Sequence, residues 1–555
     1  MPSKSNFPDI DIPNVGLWDF LFERKDRDFP EDKPIYVDPA TNRSYTFAQT
    51  KQTAIDFGKG LKGLWDFQKG DVLALYTPNC IDTPAVTWGV HWAGGIVSPA
   101  NPGYTVDELA YQLKDSGAKA LVTQLAQLDQ ARAAAKKVGI SEDRICLIGD
   151  EKDPAGRIKH FSSVRNISGT QRFRRAKVDA DNDLAFLVYS SGTTGLPKGV
   201  MLSHKNIVAN TMQLSAQETN LSWKPANGRP DGDAILAFLP FFHIYGLTCL
   251  IHFSLYRGLK CVVLAKFEIE AWCKIAQDHK ITMSYVVPPV VLLLTKHPIV
   301  DKYDLSSLRM LNSGAAPLTK DLVEATYKRI GVPIKQAYGL SETSPGTHSQ
   351  SWDSWKSAMG SVGALLPNLT AKYMSPEEKE VPQGEVGELW VSGPNIFKGY
   401  LNNVEGTKNA LTEDGYFKTG DVGYQDKDGN FFITDRVKEL IKYKGFQVAP
   451  AELEGYLVAH DKIDDVAVLG VFKQDLATEV PLAYVVLKQG VDASPGVERE
   501  ITEWLGTKVA NHKKLRGGVK FTNEIPKSAS GKILRRMLKV KYQEEEEASA
   551  KKAKL

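Results

Sequence analysis

Ser190-Ser191-Gly192-Thr193-Thr194-Gly195-Leu196-Pro197-Lys198-Gly199 packs three glycines, two serines, two threonines and a lysine into ten residues. Backbone N–H groups, hydroxyls and one ammonium are a donor set suited to a polyphosphate, and glycine lets the backbone close on the anion. The spacing is not that of a Walker A loop, G-x4-G-K-[ST], because Lys198 is followed by Gly199. Composition alone describes equally well a surface turn that binds nothing.

The loop needs rigid neighbours. Leu184 to Tyr189 reads as a buried strand ahead of it, and Ser203 after Val200-Met201-Leu202 as a helix N-cap. Apolar runs at 72–76, 120–122, 145–148, 234–239 and 260–264 predict strands. The segments 128–138 and 269–279 between them predict helices. This βαβ rhythm implies doubly wound parallel sheets. From Gly384 short strands and turns take over: 387–392, then Asp428-Gly429-Asn430 as a hairpin turn into Phe431-Phe432-Ile433. The charged run Asp435-Arg436-Val437-Lys438-Glu439 falls between two units, and about a hundred residues of mixed α/β follow.

Composition bounds the function. The 555 residues carry a net charge of +3, too small to imply a nucleic-acid partner. Five cysteines (Cys80, Cys146, Cys249, Cys261, Cys273) without a C-x-x-C pair fit a reducing compartment and argue against a zinc site. Residues 1–14 have no apolar core of a secretory signal, and the run 285–294 is too short to span a bilayer. The final Ala553-Lys554-Leu555 is one small-residue change from the Ser-Lys-Leu peroxisomal address, which predicts a peroxisomal location and an import receptor as partner.

Further motifs follow in order: Leu239-Pro240-Phe241-Phe242-His243-Ile244-Tyr245-Gly246, Gln336-Ala337-Tyr338-Gly339-Leu340-Ser341-Glu342-Thr343, Thr419-Gly420-Asp421, Asp435-Arg436, Lys442-Tyr443-Lys444-Gly445-Phe446-Gln447-Val448 and Pro526-Lys527-Ser528-Ala529-Ser530-Gly531-Lys532. Together with the opening loop they resemble the adenylate-forming superfamily of acyl-CoA synthetases, luciferases and stand-alone adenylation domains. The similarity runs from about Leu17 to Leu538 and is strongest to 4-coumarate–CoA ligases and their peroxisomal relatives. It implies an α/β fold: a large N-terminal domain (1–435) with a small β-barrel subdomain, a hinge (436–438), a mobile α+β C-terminal domain (439–541) and a flexible tail (542–555).

The resemblance also implies a reaction. An acid attacks the α-phosphorus of ATP, pyrophosphate leaves, and the acyl-AMP then passes its acyl group to the CoA thiol. Two anions must meet, so the site needs cations aimed at the transition state. On this reading Ser190, Ser191, Gly192, Thr193, Thr194, Gly195 and Lys198 hold the phosphates, and Glu342 is the Mg²⁺-linked acid. Asp421 takes the ribose hydroxyls and Arg436 the ribose or α-phosphate side. Adenine lies between Tyr338 and the Gly314-Ala315-Ala316 backbone, with Gln336, Ala337, Gly339, Ser341 and Ile433 completing the nucleotide site. Lys532 bridges carboxylate and α-phosphate in the first half-reaction.

The C-terminal domain then turns about Lys438, bringing Lys442 and Gln447 to the adenylate and Lys444, Gly445 and Phe446 to CoA. His243 stands at the mouth of the acid pocket. Tyr245, Cys249, Gly314, Ala337, Gly339, Pro345 and Gly346 shape the pocket walls. Ala337 stands where coumarate ligases usually carry glycine and Gly346 where they carry a larger aliphatic residue, so the acid is left as an aryl acid or a medium- or long-chain fatty acid. A luciferase-type oxygenase and an enzyme loading a carrier protein share the adenylation motifs; the Lys-Gly-Phe-Gln loop favours CoA.

Overall fold

The computed structural model describes residues 2–190, 197–226, 228–444, 446–476, 478–528 and 531–552. Ser191, Gly192, Thr193, Thr194 and Gly195 of the glycine-rich loop, Gly445, Ser530 and Ala553-Lys554-Leu555 lie outside the described residues.

A seven-stranded sheet runs in the order Lys198–Ser203, Leu184–Ser190, Ile96–Ala100, Val72–Tyr76, Ala118–Thr123, Ile145–Leu147, Lys159–His160. Its neighbours pair parallel except the first two, which form a hairpin around the glycine-rich loop. Val72–Tyr76 is buried along its length, as its unbroken apolar run requires when helices cover both faces. Ser203 caps the helix His204–Gln217 in a reciprocal box with Asn206, as its position predicts.

A nine-stranded sheet has a parallel centre of Lys260–Val263, Ala234–Ala237, Met283–Val286, Met310–Ser313 and Ile334–Gly339. The carboxyl ends of these strands feed the segments of His243, Gly314 and Ser341. In open α/β sheets that edge is where ligands bind. Ser3–Lys4, Thr370–Met374, Gly387–Ser392, Phe417–Gln425 and Phe431–Arg436 make a five-stranded antiparallel sheet, the small β unit of the N-terminal domain. The turn predicted at Asp428-Gly429-Asn430 closes its last hairpin, with Gly429 at φ +85°.

The C-terminal domain has its own layers. Ile463–Lys473, Thr478–Leu487 and Val519–Phe521 form one sheet, and Ile441–Tyr443 with Phe446–Val448 a separate hairpin. Leu453, Val468, Val485 and Leu505 are among its buried residues. The residues 542–552, read from sequence as a flexible tail, instead continue the helix Arg535–Lys552. The physical reason is pairing with the domain's sheet: Glu545 accepts from Tyr484 Oη at 3.0 Å and from Lys520 Nζ at 2.9 Å, and the Tyr542 ring lies beneath Lys520.

Three of the places where the described residues of the two domains meet border the site. Val422, Leu440 and Ala449 form one apolar cluster. The carboxylate of Asp435 accepts the N–H of Ala451 at 3.1 Å, in the first turn of the helix Pro450–Leu457, whose own N-cap Ala449 supplies no side-chain acceptor. Behind it Arg535 donates to both oxygens of Glu454, at 2.7 and 2.6 Å, and to Glu439. Burial pushes the Asp435 carboxyl up to about 7. The third contact is the loop of Lys532, which enters the site.

Candidate active site

A cavity of about 1120 Å³ opens where the two large sheets, the small β unit and the C-terminal domain converge. Its nucleotide side is built by the small β unit. Asp421 and Arg436, fifteen positions apart, are cross-strand partners in one hairpin, which is why Thr-Gly-Asp and Asp-Arg act as one feature. Arg436 Nε bonds Asp421 Oδ1 at 2.9 Å, and Tyr338 Oη donates to Asp421 Oδ2 at 2.6 Å. Asp421 is nearly buried, so these partners satisfy a charge that water does not reach. Gly314, Ala315, Ala337, Tyr338, Gly339 and Ser341 line the cavity beside them. Ala315 sits at φ +69°, turning the chain away from Met310–Ser313.

The phosphate side holds Ser190, Lys198 and Glu342. Glu342, in the turn Ser341–Thr343, accepts Tyr400 Oη on Oε1 at 2.8 Å. Among the described residues Oε2 makes no hydrogen bond. Lys198 Nζ lies 4.9 Å from the centroid of the same Tyr400 ring. No group of three or more His, Cys, Asp or Glu fit to hold a metal occurs among the described residues. One carboxylate oxygen beside a polyphosphate site does fit a hard divalent cation that takes most of its ligands from phosphate and water.

The acid side runs between the helix His204–Gln217 and the strands Met283–Val286 and Met310–Ser313, past Leu214, Cys249, Pro345 and Gly346. A Cβ on Gly339 would fall 2.0 Å from the Pro345 carbonyl, so this wall demands glycine; one on Gly346 would press Leu214 and Leu366 at 3.3 Å. His243 Nδ1 accepts the Tyr245 N–H at 3.3 Å, and burial holds the ring down at about 4, so it is neutral with its proton on Nε2. Tyr245 Oη donates to the Asn312 carbonyl at 3.0 Å, so that hydroxyl is already engaged within the pocket wall.

From the C-terminal domain, Ser528 and Lys532 line the cavity. Ser528 Oγ accepts the Lys532 N–H at 3.1 Å, and Gly531 takes φ +79° against Pro289 of the N-terminal domain. Burial, then the neighbouring Arg436 cation, push the Lys532 ammonium down to about 8 against the pull of Glu439 and Asp421.

Several expected residues lie elsewhere. Ala316 and Ile433 do not line the cavity, and Asp421 stands just behind its lining, with one oxygen on Tyr338 and the other on Arg436. Gln336 is buried with its amide placed to bond the Leu318 carbonyl and the Gly360 N–H. Lys442, Lys444, Phe446 and Gln447 ride the exposed hairpin Ile441–Tyr443/Phe446–Val448, outside the cavity, with Phe446 stacked on His512 at 4.5 Å. Lys438 does line it. Tyr285, Asn312 and Tyr400 line it too and had no signal in their own neighbourhoods, since each is brought in by strand pairing distant in sequence.

A sheet-edge cavity lined by Lys198, Glu342 and Arg436 of one domain and Lys532 of the other has the charges that a nucleotide-using enzyme of two domains requires. The chain belongs to the AMP-binding enzyme family: residues 22–401 match the AMP-binding enzyme family and 452–532 the AMP-binding enzyme C-terminal domain. It is 40% identical over 550 residues to the probable 4-coumarate–CoA ligase 1 of Dictyostelium discoideum, covering 96% of this chain and 97% of that protein. It is 39% identical over 543 residues to the 4-coumarate–CoA ligase of Pinus taeda, covering 97% of each. The fold matches ATP-bound MatB from Rhodopseudomonas palustris with a TM-score of 0.84 at 29% identity, covering 96% of this chain and 99% of that one. Apo MatB matches at 0.73 and 28% identity, with 96% and 99% covered.

Proposed function

We propose that this protein is an ATP-dependent acid–CoA ligase held here in the arrangement of its first half-reaction. The observation that carries this reading is Lys532 in one cavity with Arg436, Glu342 and Lys198, while Lys442 and Gln447 stand outside. Asp421 receives the ribose, with Tyr338 and Arg436 fixing its carboxylate. Lys198 and the loop before it hold the departing phosphates. Lys532, held as an ammonium, draws the acid's carboxylate to the α-phosphorus and stabilises the charge that builds there. Glu342 would hold a Mg²⁺ ion, which when bound would neutralise further charge on the phosphates. His243, neutral, is suited to orient the carboxylate through Nε2–H without competing as a cation. Rotation about Lys438 then exchanges Lys532 for the hairpin of Lys442, Lys444 and Phe446, and CoA enters. ATP–pyrophosphate exchange across a panel of aryl and fatty acids tests the first step. Acid-dependent exchange followed by CoA-dependent thioester release supports the ligase; no exchange with any acid, or adenylate released without regard to CoA, overturns it.

The far wall of the acid pocket points to an aryl acid bearing a distal hydroxyl. Tyr285 and Asn312 are cross-strand partners, 1% and 3% exposed, and both line the cavity. Tyr285 Oη and Asn312 Oδ1 have no hydrogen-bond partner among the described residues. A substrate hydroxyl reaching both would donate to Asn312 Oδ1 and accept from Tyr285 Oη. Buried polar groups left unpaired by a deoxy acid would penalise it. Tyr285→Phe is expected to lower kcat/KM for hydroxyaryl acids about tenfold and to spare the deoxy analogues. Equal losses on both series would remove this assignment.

We further propose a peroxisomal location, supported by Ala553-Lys554-Leu555 alone. An N-terminal fluorescent fusion is expected in peroxisomes, and deletion of Leu555 is expected to return it to the cytosol.

A further inference from the structure

The segment around Tyr400 ties the two halves of the phosphate side together. Its backbone is bonded to the strand Lys198–Ser203 through Lys398 N–H to Met201, Met201 N–H to Gly399 and Leu401 N–H to Gly199, at 2.8 to 3.0 Å. Phe397 N–H reaches the carbonyl of Glu342 at 2.9 Å. The side chain repeats the bridge. Tyr400 Oη donates to Glu342 Oε1 at 2.8 Å, Lys198 Nζ sits 4.9 Å from the ring centroid, and Phe397 packs edge-on at 4.9 Å behind it.

Lys198 and Glu342 carry opposite charges and both contact this one side chain; among the described residues they form no ion pair, and the ring lies against one while its hydroxyl holds the other. A cation over an aromatic face is retained without being neutralised. A carboxylate bonded through one oxygen keeps its second oxygen for a metal.

We propose that Tyr400 is a positioning residue that keeps Lys198 and Glu342 apart, so that the lysine stays free for the triphosphate and the carboxylate for its divalent cation. The proposal rests on the reading that this cavity binds ATP with Mg²⁺. Without the ring, Lys198 collapses onto Glu342 and each cancels the other's charge. Without the hydroxyl alone, the ring still spaces the lysine but the carboxylate loses its anchor.

Calorimetric binding of ATP to the full chain without acid, with and without Mg²⁺, separates these roles without turnover. Tyr400→Phe is expected to weaken ATP binding in Mg²⁺ about tenfold and leave binding in EDTA unchanged. Tyr400→Leu is expected to weaken both, and Glu342→Gln in the Leu background is expected to restore binding in EDTA by freeing Lys198. Wild-type binding by the Phe and Leu variants, equal weakening by Phe in both conditions, or no rescue by Glu342→Gln would each overturn the proposal. If the unaltered chain binds no ATP, the reading beneath it fails instead. Thermal unfolding of the Phe variant, which keeps the ring and its packing, separates loss of fold from loss of spacing.

Discussion

Lys532→Ala is expected to lower ATP–pyrophosphate exchange by about a hundredfold or more, the usual cost of removing a preorganised charge from a transition state. Capture of a supplied acyl-adenylate by CoA should change little, because on the proposed reading that step uses the face of the C-terminal domain that carries Lys442. Comparable losses in the two assays would deny Lys532 its role.

The pH dependence carries the same signature. The ammonium ordinarily titrates at 10.5 and is pushed down to about 8 here. The cation is present below that value and lost as pH rises through it. kcat/KM for adenylation, which reports the free enzyme, should therefore fall above about pH 8. The stability effect has the opposite sense. Between about 8 and 10.5 the unfolded chain holds a proton that the folded chain has released, so folding gains stability as pH rises through that window. At neutral pH the buried ammonium thus costs stability, and the alanine variant should unfold no more readily than the parent.

Lys438→Pro is expected to cut thioester formation about tenfold or more while adenylation stays close to normal. The turn at 436–440 is held by Val437 N–H to Gly420 and by Glu439 and Leu440 N–H to Arg436. Among the described residues the Lys438 N–H makes no such bond, so proline removes no contact from the arrangement in which Lys532 occupies the cavity. It locks φ and restricts Val437, which opposes the backbone rotation a domain swing requires. Single-turnover assays of each half-reaction measure the split. A loss in thioester formation no larger than that in adenylation would move the hinge elsewhere.

Local patterns made much of this molecule legible. The strands at 72–76, 184–190 and 387–392 follow from apolar runs of the right length, and Ser203 announces its helix by its side chain. Asp421 and Arg436 were readable because each lies in a short motif, though nothing local says that they face one another. The helical character of 542–552 was not readable, since its acidic run is ordered by Lys520 and Tyr484, far back in the chain. Tyr285, Asn312 and Tyr400 were missed for the same reason. A tyrosine or asparagine carries no signal until another strand gives it a partner or withholds one.

By itself, then, the sequence determined the fold class, the family and most of the residues that carry charge in the site, because motif chemistry and apolar periodicity are local properties. The tertiary structure decided which cations share the cavity, that the hydroxyl of Tyr245 is spent on Asn312, and that a ring stands between Lys198 and Glu342. Those depend on strand register and domain seating, which arise from contacts between segments distant in sequence.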